Sequence, residues 1–187
     1  MAEHVVVRSP RITDEEEFLQ AVRRSRQLHR GWVYPPASTS AYRDYLAKGR
    51  QHTHQAFLVV RKRIGGLVGV VNVSEIVRGN FQSAYLGYYA FVPHAGTGLM
   101  REGLSQVIER AFRRMKLHRL EANIQPDNSA SIALVRSLRF GKEGFSPRYL
   151  KIGGRWCDHE RWAIIAENWK PDGASRMWKT AVFQKNH

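Results

Sequence analysis

The passage from residue 83 to residue 115, SAYLGYYAFVPHAGTGLMREGLSQVIERAFRRM, constrains this chain more than any other. It opens with the aromatic and aliphatic content of a strand, breaks at Pro93, crosses Gly96 and Gly98, and resumes with a helical period. Leu104, Val107, Ile108, Ala111, Phe112 and Met115 recur at i, i+3 and i+4, so one face of that helix is predicted to be core. The first turn of a helix has backbone N–H groups without intrahelical acceptors, at the positive end of the helix dipole. Glycine at 96 and 98 keeps side chains clear of them and leaves room for a phosphate. The same spacing also fits a second reading, in which the glycines only turn the chain. Half of a GxGxxG pattern is missing, which argues against a site for NAD.

The surrounding sequence supplies the sheet on which such a helix lies. HVVVRS suits a first strand, and TDEEEFLQAVRRSRQL a first helix, with a Thr13–Glu16 capping box and Phe18, Leu19, Val22 and Leu28 on its apolar side. HRGWVYPPAS reads as a loop, and SAYRDYLAKGR as a short helix ending near Gly49. AFLVVRKR, GLVGVVNVSEIV and SAYLGYYAFV follow as three antiparallel strands joined by tight turns. HRLEANIQP alternates, with Leu120, Ala122 and Ile124 on one side and Glu121, Asn123 and Gln125 on the other. A helix capped by Asp127 or Asn128 comes next, and EGFSPRYLKI with RWCDHERWAII closes the fold as a hairpin. The order β-α-α-β-β-β-α-β-α-β-β predicts an α/β fold with a mixed, mostly antiparallel sheet flanked by helices. One domain is expected over residues 1–170, with a basic tail over 171–187 in which Trp178 and Phe183 have the character to dock.

Composition narrows the class of partner. Thirty Lys and Arg against sixteen Asp and Glu give a net charge of +14, a field that attracts polyanions such as RNA, ribosome surfaces and phosphorylated cofactors. No aromatic RNA-binding strand pattern or helix-turn-helix accompanies the charge. The single cysteine, Cys157, excludes an internal disulfide, and the eight histidines are scattered, with only His52 and His54 close together, so no metal site is expected. No apolar run approaches the roughly 20 residues of a membrane span, and the start MAEHVVVRSPRIT lacks a signal-peptide pattern. A cytoplasmic location without membrane association is the expectation.

YLGYYAFVPHAGTGLMREGL, HRLEANIQPDNSASIALVRSLRFGKEGF and YLKIGGRWCDHERWAI together resemble the GNAT acetyltransferases, and within them the RimJ/RimL-type branch that acetylates N-terminal amines of ribosomal proteins. VVNVSEIVRGNFQSAYLGY is similar to a segment of the RimJ-type alanine acetyltransferases. The resemblance covers residues 55–170 well and the first 50 loosely. It implies the GNAT fold and acetyl-CoA as co-substrate. The family's coenzyme A diphosphate cradle matches Ala95, Gly96, Thr97, Gly98, Leu99 and Met100; Ala95 stands for the usual Arg or Gln and Thr97 for the common Lys. Backbone groups around Tyr89, Phe91 and Val92 are expected to hold the pantetheine and the acetyl carbonyl. Asn128 matches the asparagine beside the pantetheine arm, and Asn123 is a second candidate.

Transfer from a thioester to an amine needs a neutral nitrogen, a polarised carbonyl and a proton for the departing thiolate. Many relatives place a tyrosine where this chain has Val135, so the resemblance points instead to Ser131, one turn earlier, as the proton donor or sulfur-positioning group. The base is less defined, because Arg148 precedes Tyr149 and Leu150 where the branch carries an acid. Glu75, Glu121 and Asp158 are the candidates, acting through water. The acceptor groove maps onto Trp32, Tyr34 and the KIGGRW turn with Arg155. The implied acceptor is a protein N-terminus, with a small amine as the alternative and ribosome or RNA docking through the basic surface. A scaffold that binds coenzyme A without turnover is the third reading.

Overall fold

The computed structural model describes residues 4–170, so the tail expected over 171–187, with Trp178 and Phe183, lies outside the described residues. β1 (Val5–Arg8) leads through a 3-10 turn at Ile12–Asp14 into α1 (Glu15–Arg24), α2 (Arg26–His29) and α3 (Thr39–Lys48). β2 (Gln55–Arg61), β3 (Leu67–Val77) and β4 (Ser83–Ala90) form the antiparallel meander, and α4 (Leu99–Arg113) follows. β5 (Arg119–Ile124), α5 (Ser129–Ser137) and the hairpin of β6 (Gly141–Ile152) and β7 (Arg155–Ile165) complete the chain. The sheet order is β1-β2-β3-β4-β5-β7-β6, and β4–β5 is its parallel pair.

Alternation along the strands divides the interior into two layers. Phe57, Val59, Val71, Val73 and Leu86 meet α4 and α5 on one face, while Leu58, Val70, Tyr89 and Phe91 meet α1 and α3 on the other. On α4, Leu104, Val107, Ile108 and Ala111 are fully buried, as their spacing predicts. Gly103 lets the helix approach β2 so closely that a Cβ there would stand 2.5 Å from Val59 Cγ1. Glu102 stitches the same helix to β1, its Oε1 accepting the N–H groups of His4 at 2.7 Å and Val5 at 3.0 Å.

Two expectations for the first helix are corrected. The Thr13–Glu16 capping box does not form. Asp14 holds the cap position, and its carboxylate accepts the Arg11 N–H at 2.7 Å and both terminal nitrogens of Arg8 at 2.7 Å. The helix also breaks at Ser25, which is fully buried and whose Oγ accepts the Val92 N–H at 3.0 Å. That break turns Leu28 off the apolar side, and it lines a cleft instead, 41% exposed.

The cleft arises from strand pairing. β4 and β5 are in register only from Ser83–Arg119 to Tyr85–Glu121. Beyond Tyr85 the two strands no longer pair, and the open wedge between them lies beside the N-terminus of α4.

Candidate functional site

The cavity in this wedge measures about 430 Å³. Its walls come from the end of β4, the mouth of α4, the end of β5, the first turn of α5, and Leu28, His29, Trp32 and Val33.

At the mouth of α4, Gly98 is the N-cap with φ 83° and Gly96 has φ 76°. Both lie in the left-handed region that favours glycine. A Cβ at either would meet no atom within 4 Å, so the space before the helix is open. Among the described residues, the N–H groups of Gly96, Gly98, Leu99 and Met100 have no protein acceptor, whereas Thr97 turns its Oγ1–H back to His94 O at 2.7 Å. Ala95, Gly96, Gly98 and Met100 line the cavity, and among the described residues Arg101 is the one arginine or lysine that does so, its Nε donating to Ser137 Oγ at 3.2 Å. Open backbone donors, a helix dipole and a nearby guanidinium fit an anionic diphosphate.

Along β4 the N–H groups of the expected residues are already paired within the protein. The Phe91 N–H donates to Val68 O at 2.8 Å, the Val92 N–H is taken by Ser25, and Tyr89 pairs with Val70. Phe91 and Val92 therefore have no N–H to offer a ligand. A strand presents successive backbone groups to opposite edges, so Tyr88 and Ala90 face the wedge. The Ala90 carbonyl already accepts from His29 Nε2 at 2.8 Å.

On the opposite wall, Asn128 caps α5, its Oδ1 accepting the Ser131 N–H at 3.1 Å, and both residues line the cavity. Asn123 also lines it, and its Oδ1 is buried with no partner. Val135 is fully buried in the core. A phenol nevertheless reaches this turn from another element: Tyr88 Oη donates to Ser131 O at 3.3 Å, and burial raises its pKa and keeps it protonated. Sequence reasoning missed Tyr88; its signal was an even position on the strand whose odd positions pair with β3.

The carboxylate candidates are not brought to the cavity. Glu75 is exposed and pairs with His54, Glu121 accepts from Arg119 Nε at 2.8 Å, and Asp158 Oδ1 accepts the Arg148 N–H at 2.7 Å. Among the described residues no Asp or Glu lines the cleft. Two buried histidines, also missed, line it instead: His29 on α2 and His159 on β7. Of the groove candidates, Trp32 lines the cavity, and Tyr34 packs on the β6–β7 turn, where a Cβ at Gly153 would lie 2.2 Å from its Oη. Arg155 sits exposed at that turn. Gln125 Nε2 joins the two sides by donating to Gly31 O at 3.0 Å.

The family model of the acetyltransferase (GNAT) domain matches residues 4–141. The chain belongs to the GNAT acetyltransferase family. It is an acyltransferase, and its co-substrate is that of the family, acetyl-CoA. The chain is 41% identical over 105 residues to the ribosomal protein uS5-alanine N-acetyltransferase of Escherichia coli, covering 56% of this chain and 54% of that one. It therefore spans about half the length of that relative. It is 36% identical over 124 residues to the probable N-acetyltransferase YjcK of Bacillus subtilis, covering 66% of this chain and 67% of that one. Mycobacterium smegmatis RimJ in complex with CoA-disulfide is similar in structure, with TM-score 0.79 and 26% identity over 87% of this chain and 82% of that one. No helix of the described residues is long and apolar enough to cross a membrane.

Proposed function

We propose that this GNAT enzyme transfers acetyl from acetyl-CoA to the N-terminal α-amino group of a protein, by direct attack in a ternary complex. The observation that carries the acceptor reading is a cleft with open amide donors at one end and, among the described residues, no carboxylate along its walls. A polyamine keeps its other positive charges after the reacting nitrogen loses a proton, and those charges need acidic partners. An α-amine has a reference pKa near 8, roughly two units below a lysine ammonium, and after deprotonation leaves no charge at the reacting end. The cleft suits the second acceptor. A surface carrying +14 adds a means of docking on RNA-rich ribosome surfaces, where newly made N-termini are found.

In this reading the N–H groups of Gly96, Gly98, Leu99 and Met100 hold the diphosphate, with Ala95 and Thr97 too small to crowd it. Asn123, Asn128 and the β4 edge at Tyr88 and Ala90 hold the pantetheine, while the side chain of Tyr89 backs the cleft from the other layer. When bound, acetyl-CoA supplies a thioester whose carbonyl carbon the amine attacks and whose sulfur leaves as thiolate. Ser131 sits in the first turn of α5 with Tyr88 Oη on its carbonyl, so this corner supplies the proton that the sulfur needs. Trp32, Tyr34 and Arg155 border the acceptor groove, and holding both reactants in one cleft supplies much of the acceleration.

The test is a panel of peptides with different N-terminal residues beside polyamines and aminoglycosides, each incubated with acetyl-CoA and scored by mass. Acetylation of peptide α-amines, blocked when the N-terminus is already modified, is the expected result. Acetylated polyamine with every peptide untouched would overturn the reading.

A further inference from the structure

His29 and His159 are each tied to a backbone carbonyl, and they differ in the nitrogen left over. His29 gives its Nε2–H to Ala90, and its Nδ1 is sealed in the protein without a partner. His159 is the reverse. Its Nδ1 lies 2.9 Å from Cys157 O, and a carbonyl oxygen only accepts, so Nδ1 carries the proton and Nε2 keeps its lone pair. Nε2 has no hydrogen-bond partner among the described residues and is not one of the sealed atoms, although the residue as a whole is only 3% exposed. The ring lines the cleft.

Its place is the acceptor end. β5 and β7 pair Ile124 with Glu160, and Gln125 and His159, each one residue beyond that pair, both line the cleft. Gln125 is the residue that reaches Gly31, next to Trp32. A fixed imidazole with an open lone pair therefore stands where the groove enters a cleft that has no carboxylate among the described residues.

We propose that His159 is the general base of the transfer, an assignment that rests on the N-acetyltransferase reading above. As the amine nitrogen forms its bond to the carbonyl carbon and the carbon–sulfur bond breaks, the nitrogen's proton passes to His159 Nε2. The imidazolium that results keeps its Nδ1–H on Cys157 O and later returns a proton to water. The thiolate is protonated separately, from the Ser131 corner. The charged and titratable groups that touch the ring or share its face include Tyr149 on β6, whose ring centroid is 6.3 Å away, and Cys157 and Arg161 on β7, with His29 also lining the cleft. β5 presents Asn123 and Gln125 on that face, with Glu121 one step further along it and paired with Arg119.

His159→Asn is the decisive variant, because an amide N–H can replace Nδ1–H on Cys157 O while nothing replaces Nε2. Wild-type rate should fall on acidification, since a protonated ring cannot accept. In the variant kcat/KM for a peptide should fall about 10²- to 10⁴-fold, the range of a lost general base, with that acidic limb flattened. Coenzyme A affinity by calorimetry should stay within about twofold, because the change lies outside the diphosphate cradle. A variant with full activity, or with the acidic limb intact, would overturn the assignment. Nitrogen NMR of the free protein gives an independent answer: His159 protonated on Nδ1 is expected, and protonation on Nε2 would sink the proposal. If wild type acetylates nothing, the acetyltransferase reading fails on its own, and the NMR tautomer still decides whether a base stands ready.

Discussion

His29 Nε2 stands 2.8 Å from the carbonyl oxygen of Ala90, fastening the end of α2 to the edge of β4 that faces the cleft. The bond fixes one of the two backbone positions that the open wedge exposes, so fold and site share it.

Burial is the larger influence on His29 and holds its pKa below the ordinary 6.5, with the Ala90 bond pulling weakly the other way. The folded protein therefore binds this proton less readily than the unfolded chain. Stability is complete above the unfolded value and is lost as pH falls below about 6.5 toward the folded pKa. His29→Gln keeps a donor for Ala90 O and removes the titration, so urea melts at about pH 7.5 and about pH 5 should differ less than in wild type. His29→Leu leaves the carbonyl unpaired and should cost about 1–3 kcal/mol at the higher pH. Equal pH dependence in wild type and His29→Gln would remove His29 from the account.

Gly98 has φ 83° and open space where a Cβ would be, so Gly98→Ala meets backbone strain without a clash. That strain is about 1–2 kcal/mol, read as a modest fall in Tm. The methyl also enters the space before the α4 amides, and coenzyme A affinity by calorimetry should fall roughly tenfold if those amides hold the diphosphate. Gly79→Ala is the control, because Gly79 in the β3–β4 turn has φ 68° and equally open surroundings. It should lose similar stability with affinity unchanged; matching affinities in the two variants would remove the cradle from the mechanism.

A Cβ at Gly103 would lie 2.5 Å from Val59 Cγ1 and 2.7 Å from Cγ2. Gly103→Ala should therefore destabilise by about 1–3 kcal/mol through overpacking, despite alanine's better helix propensity. Val59→Ala makes room, and in the double variant the two losses should sum to less than their parts by at least about 0.5 kcal/mol. Simple additivity in urea unfolding would mean that α4 shifts away from β2 at little cost.

What the sequence made legible was whatever depended on neighbours along the chain. The apolar stripe of α4 has a period of its own, and Asn128 capping Ser131 needs only three residues. The break at Ser25 depends on Val92, 67 positions away, and no local pattern carries it. The same holds for the backbone edge facing the cleft. Whether Phe91 or Ala90 is free turns on which of them pairs with β3, and a shift of one residue reverses the answer. Residue type alone singles out Glu75, Glu121 and Asp158, yet each is placed beside another partner. The histidines carry no such signal in the sequence, for the converse reason: a tautomer is set by the carbonyl a ring meets, and Cys157 O meets His159 only once β7 is folded.

Asp14 supplies a test of the fold independent of the site. Burial, the largest single influence, would raise its pKa, but the hydrogen bond from Arg8, the Arg11 N–H and the charges of both arginines together outweigh it. The net result lies below the ordinary 3.8, so the unfolded chain takes up this proton first on acidification. Stability from the pair is fully present above the unfolded value and is lost as pH falls through it toward the folded pKa. Asp14→Asn still accepts the Arg11 N–H but leaves the Arg8 guanidinium without its carboxylate, which should cost about 1.5–3 kcal/mol near neutral pH. Urea unfolding across a pH series should show the gap between wild type and variant narrowing once pH drops below about 4. A gap that stays constant to the acid limit would mean that Asp14 holds the first helix by shape rather than by charge.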